Sequence, residues 1–198
     1  MNTVNTRRTP EETQQQVLST TLQLFTQKGY FNTSVRDIAH ESKVSIGSIY
    51  HHFKDKEGVA SAMYNSLLIR MSEALGDVQR SNSSAHDRCR AVIELLFQVT
   101  EDEPQVMEFM MYSKHREFLP DEKPICSAEP FVLMREMVAQ GMESGEIQCL
   151  DLMVASSCLY GGAIRMITSR LDGIIEKPLS EYVDSVWDCS WRSIAADQ

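Results

Sequence analysis

The chain has 198 residues, 42% of them apolar, which is enough for one or two domains that bury a hydrophobic core. Charged residues make up 24% and sum to a net charge of −9 at pH 7, a composition that argues against long disorder. Runs of 18 or more apolar residues are absent, and no apolar segment follows Arg7 and Arg8. We therefore predict neither a membrane span nor a signal peptide, and expect a cytoplasmic protein.

The charge is distributed unevenly along the chain. Residues 1–60 hold seven Lys and Arg and six Asp and Glu, a sum of +1, so the remainder carries −10. A near-neutral end with clustered cations, followed by an acidic remainder, is compatible with contact to nucleic acid at one end only.

The first helix begins at an N-cap, Thr9, with Pro10 at the first helical position and Glu12 three residues after the cap. Apolar residues then recur at helical spacing until Gly29, which ends the helix. Similar patterns continue along the chain without a convincing strand. We therefore predict an all-α fold of about nine helices.

Residues 33–56 predict two short helices joined by a tight turn. Ser34 caps the first helix, and Val44 is an apolar plug in the turn. Together with the first helix, this arrangement is typical of a helix-turn-helix DNA-binding domain, and a generic helical hairpin is the alternative. Ser45 caps the second short helix, whose core face we assign to Ile46, Ile49 and Phe53.

The opposite face of that second helix predicts how DNA is contacted. Small residues at its start allow the backbone to approach a phosphate, lysine and tyrosine suit the phosphate backbone, and serine and histidine suit base edges. We expect DNA contacts from Lys43, Ser45, Gly47, Ser48, Tyr50, His51, His52, Lys54 and Lys56.

The stretch TSVRDIAHESKVSIGSIYHHFKDK, residues 33–56, resembles the motif of the TetR family of one-component repressors. About a dozen positions match in order, from Thr33 to Glu57. The resemblance implies a nine-helix homodimer that leaves its operator DNA when a small molecule binds the C-terminal part. It also implies phosphate contacts from Thr33, Tyr50 and Lys56, and base contacts from Ser45, Ser48 and His51.

One position departs from that family's pattern. The family has Ala-Gly in the turn, where this chain has Ser42-Lys43. A left-handed backbone there costs a residue with a side chain roughly 1 kcal/mol, so we expect Lys43 to absorb strain or the turn to be altered.

The cysteines and histidines do not form a recognisable metal or disulfide pattern. The five cysteines are scattered and lack CxxC spacing, a pattern that is typical of reduced thiols. Among them, Cys126 is the best candidate for a redox sensor. His51 and His52 are adjacent and point about 100° apart on a helix, while Glu108 and His115 alone make a weak site. We predict no metal and no cofactor.

The remainder of the chain, residues 57–198, is predicted to be a helical ligand-binding and dimerisation domain that follows a DNA-binding domain of residues 1–56. Eight of the eleven methionines lie between residues 101 and 170, and methionine adapts to varied apolar partners. A methionine-rich core is the alternative to a pocket. The candidate ligand-binding residues are Met107, Phe109, Met110, Met111, Tyr112, Met134, Met137 and Met166.

The last two predicted helices carry apolar faces at helical spacing. Each glycine of Gly161-Gly162 costs roughly 1 kcal/mol relative to alanine inside a helix, which is tolerable where another helix approaches closely. Two such helices from each of two subunits make a four-helix interface, whereas packing within one chain is the alternative. The candidate interface residues are Leu159, Gly162, Met166, Val183, Trp187 and Trp191.

These patterns predict a ligand-responsive transcriptional regulator and not an enzyme, because the sequence has no nucleophile elbow, phosphate loop, HExxH or paired carboxylates. We expect a repressor released from a palindromic operator by a mostly apolar small molecule. The alternative is a helical adaptor that binds proteins and not DNA.

Overall fold

The computed structural model describes residues 9–196, so that Arg7 and Arg8 lie outside the described residues. Within that range the chain forms nine α-helices, and its β-structure is limited to one bridge between Ile147 and Ala195. The predicted all-α fold is therefore confirmed. The helices are α1 Pro10–Lys28, α2 Val35–Ser42, α3 Ile46–Phe53, α4 Lys56–Ser81, α5 Ala85–Asp102, α6 Pro104–Tyr112, α7 Glu129–Glu143, α8 Leu152–Leu171 and α9 Val183–Arg192.

Contacts divide the chain into two compact units, which we call the head and the body. Among the described residues, the head comprises residues 9–66 together with Ser113–Glu122, and the body comprises Leu67–Tyr112 and residues 123–196. The division falls inside α4, so the functional boundary after Lys56 stays a prediction. None of the described helices is long and apolar enough to cross a membrane.

The head core is built from the first four helices. A capping box starts α1, because the Glu12 N–H donates to the Thr9 hydroxyl and the Thr9 N–H donates to the Glu12 carboxylate. A second capping box starts α2, where hydrogen bonds from Ser34 lower the pKa of Asp37. The apolar side chains buried between these helices are Val17, Leu24, Ile38, Val44, Ile49, Phe53 and Val59.

The turn between α2 and α3 has the predicted plug and cap. Val44 is buried, and the Ser45 hydroxyl accepts a hydrogen bond from the Ser48 N–H at 3.1 Å. The assignment of Ile46 to the core is wrong, since 39% of this residue is exposed. As the first residue of α3, Ile46 projects beyond the core that Ile49 and Phe53 enter.

The segment Ser113–Glu122 belongs to the head although it follows α6 in the chain. It contains a short 3-10 helix, His115–Glu117, and buries Phe118 and Leu119. Tyr64 of α4 stacks on His115 with ring centroids 4.8 Å apart. This segment is therefore an integral part of the head.

In the body, α5 is the central helix and contacts α6, α7, α8 and α9. The Glu146 carboxylate accepts the backbone N–H groups of Ala85 and His86 and so caps α5. Burial raises the pKa of Glu146, but these hydrogen bonds outweigh burial and hold the pKa below its ordinary value. Glu101 near the other end of α5 pairs with Arg170 of α8 at 2.9 Å.

Candidate functional site

The orientation of α3 leaves one face outside the head core. Ile49 and Phe53 are buried, whereas Tyr50 is 49% exposed on the opposite side. The predicted DNA-binding set lies mostly on this outer surface. Lys43, Ser45, Gly47, Tyr50, His51 and Lys54 are exposed, and Ser48, His52 and Lys56 are half-buried.

A groove of about 570 Å³ lies where the N-terminus of α2 meets α3 and the start of α4. Tyr50 and Lys56 line it, and Arg36 adds a second cation. The first-turn N–H groups of α2 and these side chains favour an anion, while Asp37 supplies one opposing charge. The groove, which we call the phosphate groove, is lined by Phe31, Asn32, Thr33, Ser34, Val35, Arg36, Asp37, Tyr50 and Lys56.

Thr33 lines the phosphate groove, but its side chain is bonded to the loop before α2. Only 2% of Thr33 is exposed, and its hydroxyl donates to the Gly29 carbonyl oxygen at 2.9 Å. A hydroxyl whose hydrogen is already donated within the chain supports the loop. The phosphate contact that the family resemblance implies for Thr33 stays a prediction.

Lys56 lies at the mouth of the phosphate groove above an aromatic ring. Its Nζ atom is 3.9 Å from the centroid of the Tyr30 ring. Burial lowers the pKa of Lys56, partly offset by the charge of Asp37. Because this ammonium is already partly dehydrated, pairing it with a phosphate costs less desolvation than pairing a fully exposed lysine.

His52 points toward α1 and not straight outward. Its Nδ1 atom lies 3.0 Å from the side-chain amide nitrogen of Gln14. An amide nitrogen only donates, so Nδ1 accepts this hydrogen bond and Nε2 is left for another partner. His51 has no such tie to α1 and is the more exposed of the two histidines.

The turn residue Lys43 is left-handed, as expected for a position where the family has glycine. Its φ of 55° and ψ of 33° lie in the left-handed helical region, and it is the C-cap of α2. The α2–α3 turn therefore keeps its geometry at a cost of roughly 1 kcal/mol, which Lys43 bears in place of a glycine.

A second strained residue, which the sequence did not predict, ends α3. Lys54 has φ 68° and ψ −53°, and the Asp55 N–H donates to the Phe53 carbonyl oxygen at 2.9 Å. These values describe a γ-turn with positive φ, a rare and strained conformation. Asp55 then caps α4 by accepting the Gly58 N–H at 2.7 Å.

Gly58 allows this tight connection between α3 and α4. A Cβ atom at position 58 would overlap the backbone carbonyl oxygen of Phe53. Because the obstacle is backbone and not the end of a flexible side chain, relief requires α3 and α4 to move apart. Gly58 therefore fixes where α3 lies relative to the first turn of α4.

The predicted ligand-binding residues are mostly part of the body core. Met107, Met134 and Met137 belong to the main buried cluster, Phe109 is buried, and Met110 is half-buried. The half-buried Met111 and Met166 pack against that cluster. Tyr112 is exposed, and its hydroxyl donates to the Asp172 carboxylate at 2.7 Å.

One surface groove of about 590 Å³ is formed in the body by α5 and the residues before and within α9. Arg90 lines it and pairs with Glu94 of α5 and Asp184 of α9. None of the candidate ligand-binding residues lines this groove. The methionine-rich pocket therefore stays a prediction.

The predicted dimer residues divide into two groups. Leu159 and Trp187 are 0% and 2% exposed, so they pack within their own chain and offer almost no surface to a partner. Gly162 is exposed, and Met166, Val183 and Trp191 are half-buried. The exposed face of α8 also includes Met153 and Val154, which the sequence-based assignment omitted.

Cys126 is exposed, whereas Cys89 is buried in the body and burial raises the pKa of its thiol to about 11. A raised pKa makes Cys89 inert toward oxidants. Among residues 9–196, no group of three or more His, Cys, Asp or Glu side chains is arranged to hold a metal ion.

Comparison with known proteins finds matches to both the head and the whole fold. Residues 17–63 match the family model described as "Bacterial regulatory proteins, tetR family". The uncharacterized HTH-type transcriptional regulator YuxN of Bacillus subtilis (strain 168) is 31% identical over 88 residues, 44% of this chain. This chain spans 30% of that relative's length, and 21% and 27% of two further curated relatives.

Solved structures extend the likeness to nearly the whole chain. A TetR family transcription regulator from Marinobacter aquaeolei VT8 has a TM-score of 0.79 and 19% identity, covering 93% of this chain and 96% of that one. The transcriptional regulator FadR from Bacillus subtilis, solved in complex with stearoyl-CoA, has a TM-score of 0.77 and 19% identity, covering 89% and 96%. At these identities the likeness shows the fold.

The connection between α3 and α4 yields a stability prediction that opposes helix propensity. Alanine is favoured over glycine in a helix by roughly 1 kcal/mol, yet we expect Gly58→Ala to destabilise the protein by about 1–3 kcal/mol because of the overlap with the Phe53 carbonyl. Thermal unfolding followed by circular dichroism measures the change.

The matched control is Gly76→Ala, also in α4. There the new Cβ meets only the flexible guanidinium of Arg80, at 3.1 Å, so we expect a Tm at or above that of the parent protein. An equal rise of Tm in both variants would contradict the role assigned to Gly58.

Proposed function

We propose that this chain belongs to the TetR family of bacterial regulatory proteins, whose model matches residues 17–63, and that it regulates transcription by binding operator DNA through the head. The observation that carries the proposal is the outward face of α3 beside the phosphate groove. Ile49 and Phe53 fix the helix from within, so that His51 and Tyr50 are held outside. A helix held in this way suits the major groove of DNA.

We assign different tasks to the two sides of this surface. Lys56, Tyr50 and the N-terminus of α2 line the phosphate groove and would hold the DNA backbone, which positions the protein without reading the sequence. Ser48 and His51 lie on α3 and would reach base edges in the major groove. Lys43 and Lys54, at the two ends of α3, add phosphate attraction.

We propose that the protein is a repressor that leaves its operator when an apolar small molecule binds the body. Methionines are concentrated in and around the body core, and their flexible side chains can rearrange to admit an apolar group. A neighbour in fold, FadR from Bacillus subtilis, was solved in complex with stearoyl-CoA, whose long acyl chain is an apolar group of this kind. An acyl chain is therefore the first class of compound to test.

We propose that α8 and α9 of two copies form a homodimer. Among residues 9–196, and apart from the chain neighbours and the backbone of α8 itself, no atom lies within 4 Å of a Cβ built on Gly161, and at Gly162 the nearest is the Ser190 hydroxyl oxygen at 3.9 Å. Packing inside the protomer therefore does not require glycine at either position. A second copy that approaches α8 closely accounts for both residues, and the exposed Val154 lies on the same helix.

The division of tasks between α3 and the phosphate groove is tested by two substitutions. Fluorescence polarization with DNA from upstream of the protein's own gene, repeated across salt concentrations, measures affinity and its salt slope. We expect His51→Ala to lose about 1–3 kcal/mol of binding free energy on the specific DNA site and none on unrelated DNA. We expect Lys56→Ala to weaken binding to all DNA sequences alike. It should also reduce the salt slope, the slope of log affinity against log salt concentration, by about 1. Equal loss of specificity in both variants would contradict this division.

The effector class is tested by thermal shift. We expect long-chain acyl-CoA esters to raise Tm by several degrees at saturating concentration, since a ligand at 100 times its Kd stabilises by about 2.7 kcal/mol. The same esters should release DNA in the polarization assay, and coenzyme A alone is the control. Stabilisation only by small hydrophilic metabolites would refute the apolar effector.

The dimer is tested by substitution at its proposed centre. Gly161→Leu adds a side chain where the protomer has free space, so the monomer fold should be kept while approach of a second α8 is blocked. Light scattering after size exclusion should show a dimer for the parent protein at micromolar concentration and a monomer for the variant. A parent protein that is already monomeric, or a variant that stays fully dimeric, would exclude this interface.

A further inference from the structure

An aromatic stack links the segment after α6 to the lysine of the phosphate groove. Phe118 lies parallel to Tyr30, with centroids 4.4 Å apart and 10° between the ring planes. Phe25 of α1 packs edge-on against both rings, at 5.3 Å from Tyr30 and 6.1 Å from Phe118. Phe118 is 9% exposed, so the stack lies inside the head.

Lys56 occupies the other face of Tyr30. Its Nζ atom is 3.9 Å from the ring centroid, and a ring stacked on Phe118 at 4.4 Å has no room for an ammonium on that same face. Tyr30 is thus held between an apolar ring on one side and a cation on the other. Movement of Phe118 would move the surface on which Lys56 rests.

The position of the lysine matters because its side chain is flexible. A lysine side chain has four rotatable bonds and loses much of its rotamer freedom when it binds one phosphate. A cation–π contact with Tyr30 pre-orders Lys56 at the mouth of the phosphate groove before DNA arrives. Lys56 has then already lost, in the free protein, part of the conformational entropy that it would lose on binding DNA.

The segment that carries Phe118 is itself anchored in the head. His115 stacks on Tyr64 of α4, with 16° between the rings and 3.5 Å between the Tyr64 hydroxyl oxygen and Nε2 of His115. Burial raises the pKa of Tyr64, and the charge of Glu122 adds to this effect. The 3-10 turn that follows α6 therefore fixes the backbone next to Phe118.

We propose that Phe118 is a positioning residue for DNA binding, which acts through Tyr30 to hold Lys56 in place for a phosphate of the operator. The proposal rests on the proposed function and adds to it a residue far from the helix-turn-helix in sequence.

The test is a double-mutant cycle between Phe118→Leu and Lys56→Ala, with operator affinity and salt slope as readouts. Leucine keeps an apolar side chain of similar size but removes the stacking face. We expect Phe118→Leu alone to weaken operator binding by roughly three- to tenfold and to reduce the salt slope by up to about 1. In a protein that already carries Lys56→Ala, Phe118→Leu should change operator affinity by less than about twofold.

Tyr30 supplies the matched variants. Tyr30→Phe keeps both faces of the ring and should bind like the parent protein, whereas Tyr30→Leu should behave like Phe118→Leu. A merely structural role for Phe118 would instead lower affinity by the same factor with or without Lys56. That result, or unchanged binding by Phe118→Leu, would overturn the proposal.

A measurement without DNA separates failure of this proposal from failure of the proposed function. In the free protein, the ring current of Tyr30 should shift the ε-methylene protons of Lys56 upfield in the NMR spectrum. We expect this shift to persist in Tyr30→Phe, to vanish in Tyr30→Leu and to shrink in Phe118→Leu. An unchanged shift in Phe118→Leu would refute the link even if operator binding is confirmed.

Discussion

The burial of Ile49 and Phe53 in the head core determines what the rest of the head can do. These two side chains lie on one face of an eight-residue helix, so the opposite face of α3 is held outside by the same packing that stabilises the fold. A helix this short is not stable alone, and its orientation comes entirely from its tertiary contacts. Whatever holds α3 in place, from the Ser45 cap to the close approach at Gly58, therefore also sets the geometry of the proposed DNA-binding surface.

Strain in the head is concentrated at the two ends of this helix. Lys43 before α3 and Lys54 after it are the positive-φ residues other than glycine in the part of the chain that the structure describes. Each costs on the order of 1–3 kcal/mol, and such strain tends to lie at functional sites where the surrounding structure enforces it. Both residues are exposed lysines, so the strained positions also present cations on either side of α3. In an acidic protein with net charge −9, the proposed function would bring this scarce positive charge next to the phosphate backbone of DNA.

Local rules predicted most of the head, although they missed the exposure of Ile46 and the strain at Lys54, and they failed where contacts are distant in sequence. The caps at Ser34 and Ser45 and the left-handed Lys43 follow from side-chain hydrogen bonding and backbone sterics within a few residues. Nothing local indicates that Phe118 stacks on Tyr30, since the two are separated by most of the head and part of the body in sequence. In the body, residue type alone could not separate core methionines from residues of a proposed pocket, because a core and an apolar pocket use the same side chains. The proposed interface residues likewise included the buried Leu159 and Trp187, because a core and an interface are both apolar at helical spacing.

Our central proposal is that two copies of the chain, joined in a symmetric dimer, each place α3 in the major groove of a palindromic operator. Hydroxyl-radical footprinting of the protein on the DNA upstream of its own gene tests this claim most directly. We predict two symmetric protected patches on one face of the duplex. Their centres should lie about 34–36 Å apart, which is one helical turn, or a multiple of that distance. A single patch, continuous protection without a repeat, or no protection at a protein concentration at which the folded dimer is fully formed would contradict this proposal.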